Sequence, residues 1–224
     1  MIIIGHRGAS GNFPENTLAA FRAAAELGCA WVELDVHVLE GELVVIHDEQ
    51  LNRTTNGNGH LTTAGLAGVR ALDAGNGEQV PLLSEVLATL NGNVAINVEL
   101  KGSGTAEPTS QLLLAACDAG IWRPDQFLLS AFDHRELQRA DPIFPRGVLW
   151  GRPADDMIAR SLAMGGQWMN IALKAATEER VTAAQQAGLK VAVYTVNELS
   201  DLAAMRALGV DAVFCDYPER GLQA

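Results

Sequence analysis

The chain has 224 residues, 48% hydrophobic and 19% charged, which is long enough for a full core and too apolar for a disordered segment. Its formal net charge is −11 and no basic run occurs anywhere, which disfavours a nucleic-acid footprint. An anionic small molecule stays open as a substrate, because a bound cation inverts the local field.

In chain order, short β-rich apolar runs alternate with helical patterns. Strands are expected at MIII (1–4), WVELDV (31–36), VAINVEL (94–100), QFLLSAF (126–132), RGVLW (146–150), QWMNIAL (167–173), KVAVYTV (190–196) and DAVFC (211–215). Helical segments are expected to begin near Glu15, Leu82, Thr105, His134, Ala154, Thr177 and Leu199. Gly28, Gly120, Gly188 and Gly209 close apolar-periodic stretches, as glycines do at helix ends. Eight strands with seven intervening helices fit an α/β chain folded as a (β/α)8 TIM barrel, and a doubly wound open sheet is the alternative. One domain over residues 1–224 is expected, since no repeat or linker marks a second.

Two segments break the alternation. LVVIHD (43–48) follows the second strand after only Glu40, Gly41 and Glu42, too short a link for a parallel crossover, so a β-hairpin is expected. If Leu39 pairs with Leu43, Asp35 lies opposite His47. Residues 50–79 are rich in Gly, Asn and Thr and read as an irregular insertion over one end of the barrel.

The three cysteines, Cys29, Cys117 and Cys215, lie far apart without a CxxC pair, and reduced buried thiols are expected. Met1 runs straight into the first strand, which leaves no room for a signal peptide, and no apolar run approaches the ~18 residues of a membrane helix. A cytoplasmic protein without membrane association follows as an expectation.

Strand C-termini of a barrel converge on one mouth. Glu33 and Asp35 are two apart and face the same way, while Leu34 and Val36 face the helices. Glu99 and Lys101 repeat that spacing, His6 and Arg7 end the first strand within the glycine-rich GHRGASGNFPENT (5–17), and the hairpin brings His47 close. Three convergent carboxylates need a counter-charge, and a hard divalent cation on Glu33, Asp35 and Glu99 supplies it. His6 and His47 suit an acid–base pair better than ligation among such oxygens, and Arg7 and Lys101 suit a phosphate group. His37, His60 and His134 read as surface or capping residues, and Pro14 with Asn16 or Thr17 as a helix start.

Taken together, HRGASGNFPENT (6–17), VELDVHVLEGELVVIHDEQLNRTTNGNG (32–59), VPLLSEVL (80–87), NVELK (97–101), YTVN (194–197) and GVDAVFCDYP (209–218) resemble the glycerophosphodiester phosphodiesterase family, over nearly the whole chain. The resemblance implies hydrolysis of glycerophosphodiesters, such as glycerophosphocholine or glycerophosphoethanolamine, to sn-glycerol 3-phosphate and an alcohol. It implies His6 and His47 as the catalytic pair, Glu33, Asp35 and Glu99 as metal ligands, and Arg7 and Lys101 as phosphate contacts. Segment 50–79 matches the family's insertion, and the compact chain looks like the cytoplasmic bacterial branch. Phe13 and Tyr194 depart mildly from the family's pattern, Tyr194 standing where a Trp is frequent.

Mg2+ is the favoured cation and Ca2+ remains compatible, because substrate oxygens and waters complete an octahedron around three carboxylates. His6 is the expected base and His47 the expected acid. Water and a neighbouring glycerol hydroxyl both remain open as the attacking group. The expected partner is a small water-soluble diester, with no nucleic acid and no membrane. Neither head-group preference nor oligomeric state is legible. A metal-dependent lyase or isomerase, and a non-enzymatic anion-binding barrel, are the rival readings; neither accounts for HRG beside HD.

Overall fold

The computed structural model describes residues 1–223. The barrel strands are β1 (Ile2–Gly5), β2 (Trp31–Leu39), β4 (Ala95–Leu100), β5 (Phe127–Ala131), β6 (Arg146–Trp150), β7 (Trp168–Ala172), β8 (Lys190–Tyr194) and β9 (Ala212–Cys215). Each pairs in parallel with its neighbours, and β1 pairs with both β9 and β2, so the eight strands close on themselves as a TIM barrel. The helices between them are α1 (Leu18–Glu26), α3 (Leu83–Leu90), α4 (Ala106–Asp118), α5 (His134–Arg139), α6 (Met157–Ala163), α7 (Glu178–Gln186) and α8 (Leu199–Leu208). A further short helix, α9 (Pro218–Gln223), follows β9, and its Gly221 lies so close to Ile3 that a methyl group there would sit 2.7 Å from Ile3 Cδ1. Among the described residues no helix is long and apolar enough to cross a membrane.

Strand alternation divides the core. Leu34, Val36, Val98 and Leu100 point outward into the layer under the helices, while Ile4, Leu128, Trp168, Ala192 and Phe214 fill the barrel interior. Each fully buried Leu or Ile contributes about 1.5–3 kcal/mol over exposure. A few of them offset the several kcal/mol that each buried carboxylate of the mouth costs.

The hairpin forms with a register one residue from the expected one. The third strand, β3 (Glu42–Val45), pairs antiparallel to β2 with Leu39 opposite Glu42 and Val38 opposite Leu43. Glu40 and Gly41 alone make the turn, at φ 51° and 88°, as a two-residue loop with both central residues left-handed requires. Asp35 therefore lies opposite Ile46, whose N–H donates to the Asp35 carbonyl at 3.1 Å, and not opposite His47.

The segment after β3 is also more ordered than its composition suggests. It contains α2 (Leu61–Arg70), broken by Gly65 at φ 67°, and Leu51, Leu61, Val69 and Ala74 pack with Val44 and Ile46 of the hairpin in a separate small apolar cluster. α1 begins at Leu18 because Thr17, and not Asn16, caps it, its hydroxyl accepting from the Ala20 N–H. His60 caps α2 and His134 opens α5. His37, expected at the surface, is buried, and its Nε2 bonds the His47 carbonyl.

Candidate active site

The seven residues singled out from the sequence meet at the C-terminal mouth of the barrel. Glu33 and Asp35 face inward from β2, and Asp35 stands level with Glu99 on the adjacent β4. Their side chains are 3%, 1% and 12% exposed, and one oxygen of each lies within 4.8 Å of the others. Burial first, and repulsion from Asp35 second, push Glu33 up to about 8 and raise Glu99 as well.

These carboxylates fit a divalent cation on a specific observation. Asp35 Oδ2 accepts from Asn16 Nδ2 at 2.9 Å, but Oδ1 is buried with no hydrogen-bond partner among the described residues. Lys101 Nζ is 3.8 Å away from it, too far to serve. An orphaned carboxylate oxygen beside two further carboxylates is an oxygen-rich pocket short of positive charge, the donor set that a hard divalent cation takes.

The first β–α loop is shaped to serve this cluster. Arg7 takes φ 54°, an uncommon conformation for a side-chain-bearing residue, and so directs its backbone N–H onto Glu33 Oε2 at 2.9 Å. Gly8 follows at φ 82°, where a Cβ would lie 2.6 Å from the Ala20 backbone, so only glycine lets the loop rest on α1. Asn16, at φ 58°, turns its amide to Asp35.

The two imidazoles are oriented in the same way. His6 Nδ1 is 2.6 Å from Asp216 Oδ1 and its Nε2 is 3.9 Å from Glu33 Oε2. His47 Nδ1 is 2.5 Å from Asp48 Oδ1 and its Nε2 is 3.2 Å from Lys101 Nζ. Burial opposes charge on both rings. At His6 it is outweighed by Asp216 and Glu33, which raise it; at His47 it prevails and lowers it. A lone pair at His47 Nε2 suits the Lys101 ammonium, which also bonds Glu99 Oε1 at 2.9 Å.

Arg7 and Lys101 are not free cations, although their sequence neighbours leave them unpaired. Arg7 donates to Glu15 Oε1 at 2.7 Å and its Nε lies 3.4 Å from Asp35 Oδ2. Sequence reasoning assigned no role to Asp216, Asp48, Glu15 or Arg53, and read Asn16 only as a candidate helix cap. The HD pair and the PENT run carried the signal for Asp48, Glu15 and Asn16, whereas Asp216 sits 210 residues from its partner.

The cavity between these groups holds about 160 Å³. One side is polar, with His6, Arg7, Glu33, His47 and Glu99; the other is apolar, with Phe132, Leu149, Tyr194 and Phe214. Tyr194 is fixed by its hydroxyl, which donates to the Trp150 carbonyl at 2.7 Å. Such a site takes a small molecule with an anionic centre and a carbon skeleton.

The sequence profile of the Glycerophosphoryl diester phosphodiesterase family matches residues 6–220. A glycerophosphodiester phosphodiesterase of Caldanaerobacter subterraneus subsp. tengcongensis is 32% identical over 230 residues, covering 97% of this chain and 95% of its own. One from Bacillus altitudinis is 33% identical over 236 residues, covering 99% and 96%. Among solved structures, an Oleispira antarctica phosphodiesterase in complex with the product sn-glycerol-3-phosphate superposes with a TM-score of 0.90 at 30% identity, covering 100% of this chain and 96% of that one. The chain belongs to the glycerophosphoryl diester phosphodiesterase family and is an enzyme of that class.

Proposed function

We propose that the protein hydrolyses small water-soluble glycerophosphodiesters to sn-glycerol 3-phosphate and an alcohol, with a divalent cation held by Glu33, Asp35 and Glu99 and with His6 and His47 as the acid–base pair. One observation carries the reading. Two imidazoles, each with Nδ1 on a carboxylate, turn Nε2 into the mouth that holds the carboxylate cluster.

A bound cation supplies positive charge that neutralises the carboxylates and stabilises charge on a phosphodiester oxygen. Mg2+ is the favoured ion. Arg7 lines the cavity and Lys101 bonds two of its lining residues, His47 and Glu99, so both add electrostatic support to a phosphate there, and the backbone N–H of Arg7 keeps Glu33 turned inward. His6, its Nδ1–H on Asp216, offers Nε2 as the base that takes a proton from the attacking oxygen. His47, backed by Asp48, returns a proton to the departing alcohol.

The surroundings of the two rings pull against that order, since Asp216 and Glu33 favour charge on His6 whereas burial disfavours it on His47. Glu33's share of the pull vanishes once its carboxylate is neutralised, and the leaving-group experiment below decides the order.

Phe132, Leu149, Tyr194 and Phe214 give the substrate's carbon atoms an apolar surface. The site's small volume supports water-soluble diesters over lipids. The three free thiols support a reducing, cytoplasmic setting. Chromatography of products from glycerophosphocholine and from phosphatidylcholine vesicles tests the reading. Glycerol 3-phosphate is expected from the first and no comparable release from the second; equal rates would refute it.

A further inference from the structure

Arg53 lies on the segment after β3, outside the cavity, with 47% of its side chain exposed. An exposed ion pair contributes about 0–1 kcal/mol, and an arginine on a polar loop is ordinarily a solvated surface group. Its geometry here is different. Nε donates to Asp48 Oδ2 at 2.5 Å, while the two terminal nitrogens form a bidentate fork on Glu15, at 2.7 Å to Oε2 and 2.9 Å to Oε1. Both carboxylates are already engaged with the site through their other contacts. Asp48 Oδ1 bonds His47 Nδ1, and Glu15 Oε1 accepts from Arg7. One planar guanidinium thus ties the carboxylate behind His47 to the carboxylate behind Arg7, across the two loops that flank the mouth.

The segment itself is firm enough to act as an anchor. The Leu51 N–H donates to the Gly59 carbonyl at 2.9 Å and the Thr55 N–H to the Leu51 carbonyl at 3.1 Å, and Leu51 is buried in the cluster under the hairpin. The bond from Arg53, ahead of any other cause, holds Asp48 well below the usual carboxylate range.

We propose that Arg53 is a positioning residue that sets the His47 ring through Asp48 and the Arg7 guanidinium through Glu15, so that the folding of the segment after β3 is what completes the site. This rests on the functional reading of His47 and Arg7 given above. A lysine cannot replace it, because an ammonium has no fork with which to hold two carboxylates at fixed angles.

The test is steady-state hydrolysis of glycerophosphocholine with added Mg2+. Arg53→Ala is expected to lower kcat by about 10–100-fold, the usual cost of removing a group that orients a functional side chain, with the far-UV spectrum retained. Arg53→Lys should stay low. Millimolar guanidinium should restore part of the Ala variant's loss, and ethylammonium should not. In an Asp48→Asn, Glu15→Gln background Arg53→Ala should cost nothing further, whereas a merely structural arginine would add its own loss. If the Ala variant fails to fold, Arg53→Gln and the lysine variant carry the same comparisons. An Arg53 variant within twofold of the wild type overturns the inference, as does a loss that multiplies with those of the carboxylates and ignores guanidinium. An inactive wild type sinks the functional reading and this inference together, whereas an active wild type beside an indifferent Arg53 variant sinks this inference alone.

Discussion

His6 Nδ1 and Asp216 Oδ1, 210 residues apart, lie 2.6 Å from one another and join the ends of β1 and β9 where the barrel closes. Asp216 is itself held by Asn197 Nδ2 at 2.6 Å and Ser10 Oγ at 3.1 Å. Although burial works to raise it, the bonds from His6, Asn197 and Ser10 keep it down at about 2, so it stays ionised behind the ring.

Replacing Asp216 by Asn keeps the shape and removes the charge that fixes the His6 tautomer. Asp216→Asn should lower kcat by about 10²-fold or more with little change in KM. On a His6→Ala background the same substitution should cost almost nothing further, since the carboxylate acts through the ring. Kinetics of the four proteins measure this, and an additive loss would argue for a role independent of His6.

The raised Glu33 makes cation binding depend on pH. Its folded value, about 8, lies above the ordinary 4.5, so its contribution to stability is fully present below about 4.5 and is lost as pH rises through about 8. A cation must displace that proton to bind, and binding grows easier over the same window. The rise in melting temperature on adding Mg2+ should therefore be small near pH 5 and larger near pH 8.5. A shift of constant size across that range would contradict a protonated Glu33 in the cluster.

The two histidines are separable by leaving group. Choline's alkoxide needs a proton as its bond to phosphorus breaks, and a nitrophenolate leaves unaided. His47→Ala should lose about 10²–10⁴-fold on glycerophosphocholine and far less on a nitrophenyl diester, while His6→Ala is damaged on both. The reverse pattern would exchange the roles. Small equal losses would remove both rings from the chemistry.

What the sequence made legible follows from how local each signal is. The eight barrel strands are short β-rich stretches, mostly apolar and, in β2 and β4, alternating with polar residues, and all eight lie where those stretches do. The grouping of Glu33, Asp35 and Glu99 is legible because strand alternation alone puts Glu33 and Asp35 on one face and parallel pairing sets Glu99 level with Asp35. The hairpin register slipped because a turn of Glu40 and Gly41 and a turn that also includes Glu42 differ by one residue, which only the left-handed φ at Glu40 decides. α2 was hidden because its Thr and Gly residues mask an inward stripe of Leu61 and Val69 that faces the hairpin rather than the barrel. Asp216 and Arg53 were out of reach for a different reason. Each acts through a partner brought near only by closure of the barrel or by the course of a loop, and a lone Asp or Arg carries no such information in its neighbours.

The most direct measurement of the central claim is release of glycerol 3-phosphate from glycerophosphocholine by the wild type and by Glu33→Gln, with chelator and then with excess Mg2+ or Ca2+. The wild type should fall silent in chelator and recover with cation, Mg2+ restoring it at least as well as Ca2+. Glu33→Gln should stay inactive throughout while keeping its far-UV spectrum. Full turnover by the wild type in excess chelator, or by Glu33→Gln, would contradict a cation held by Glu33, Asp35 and Glu99.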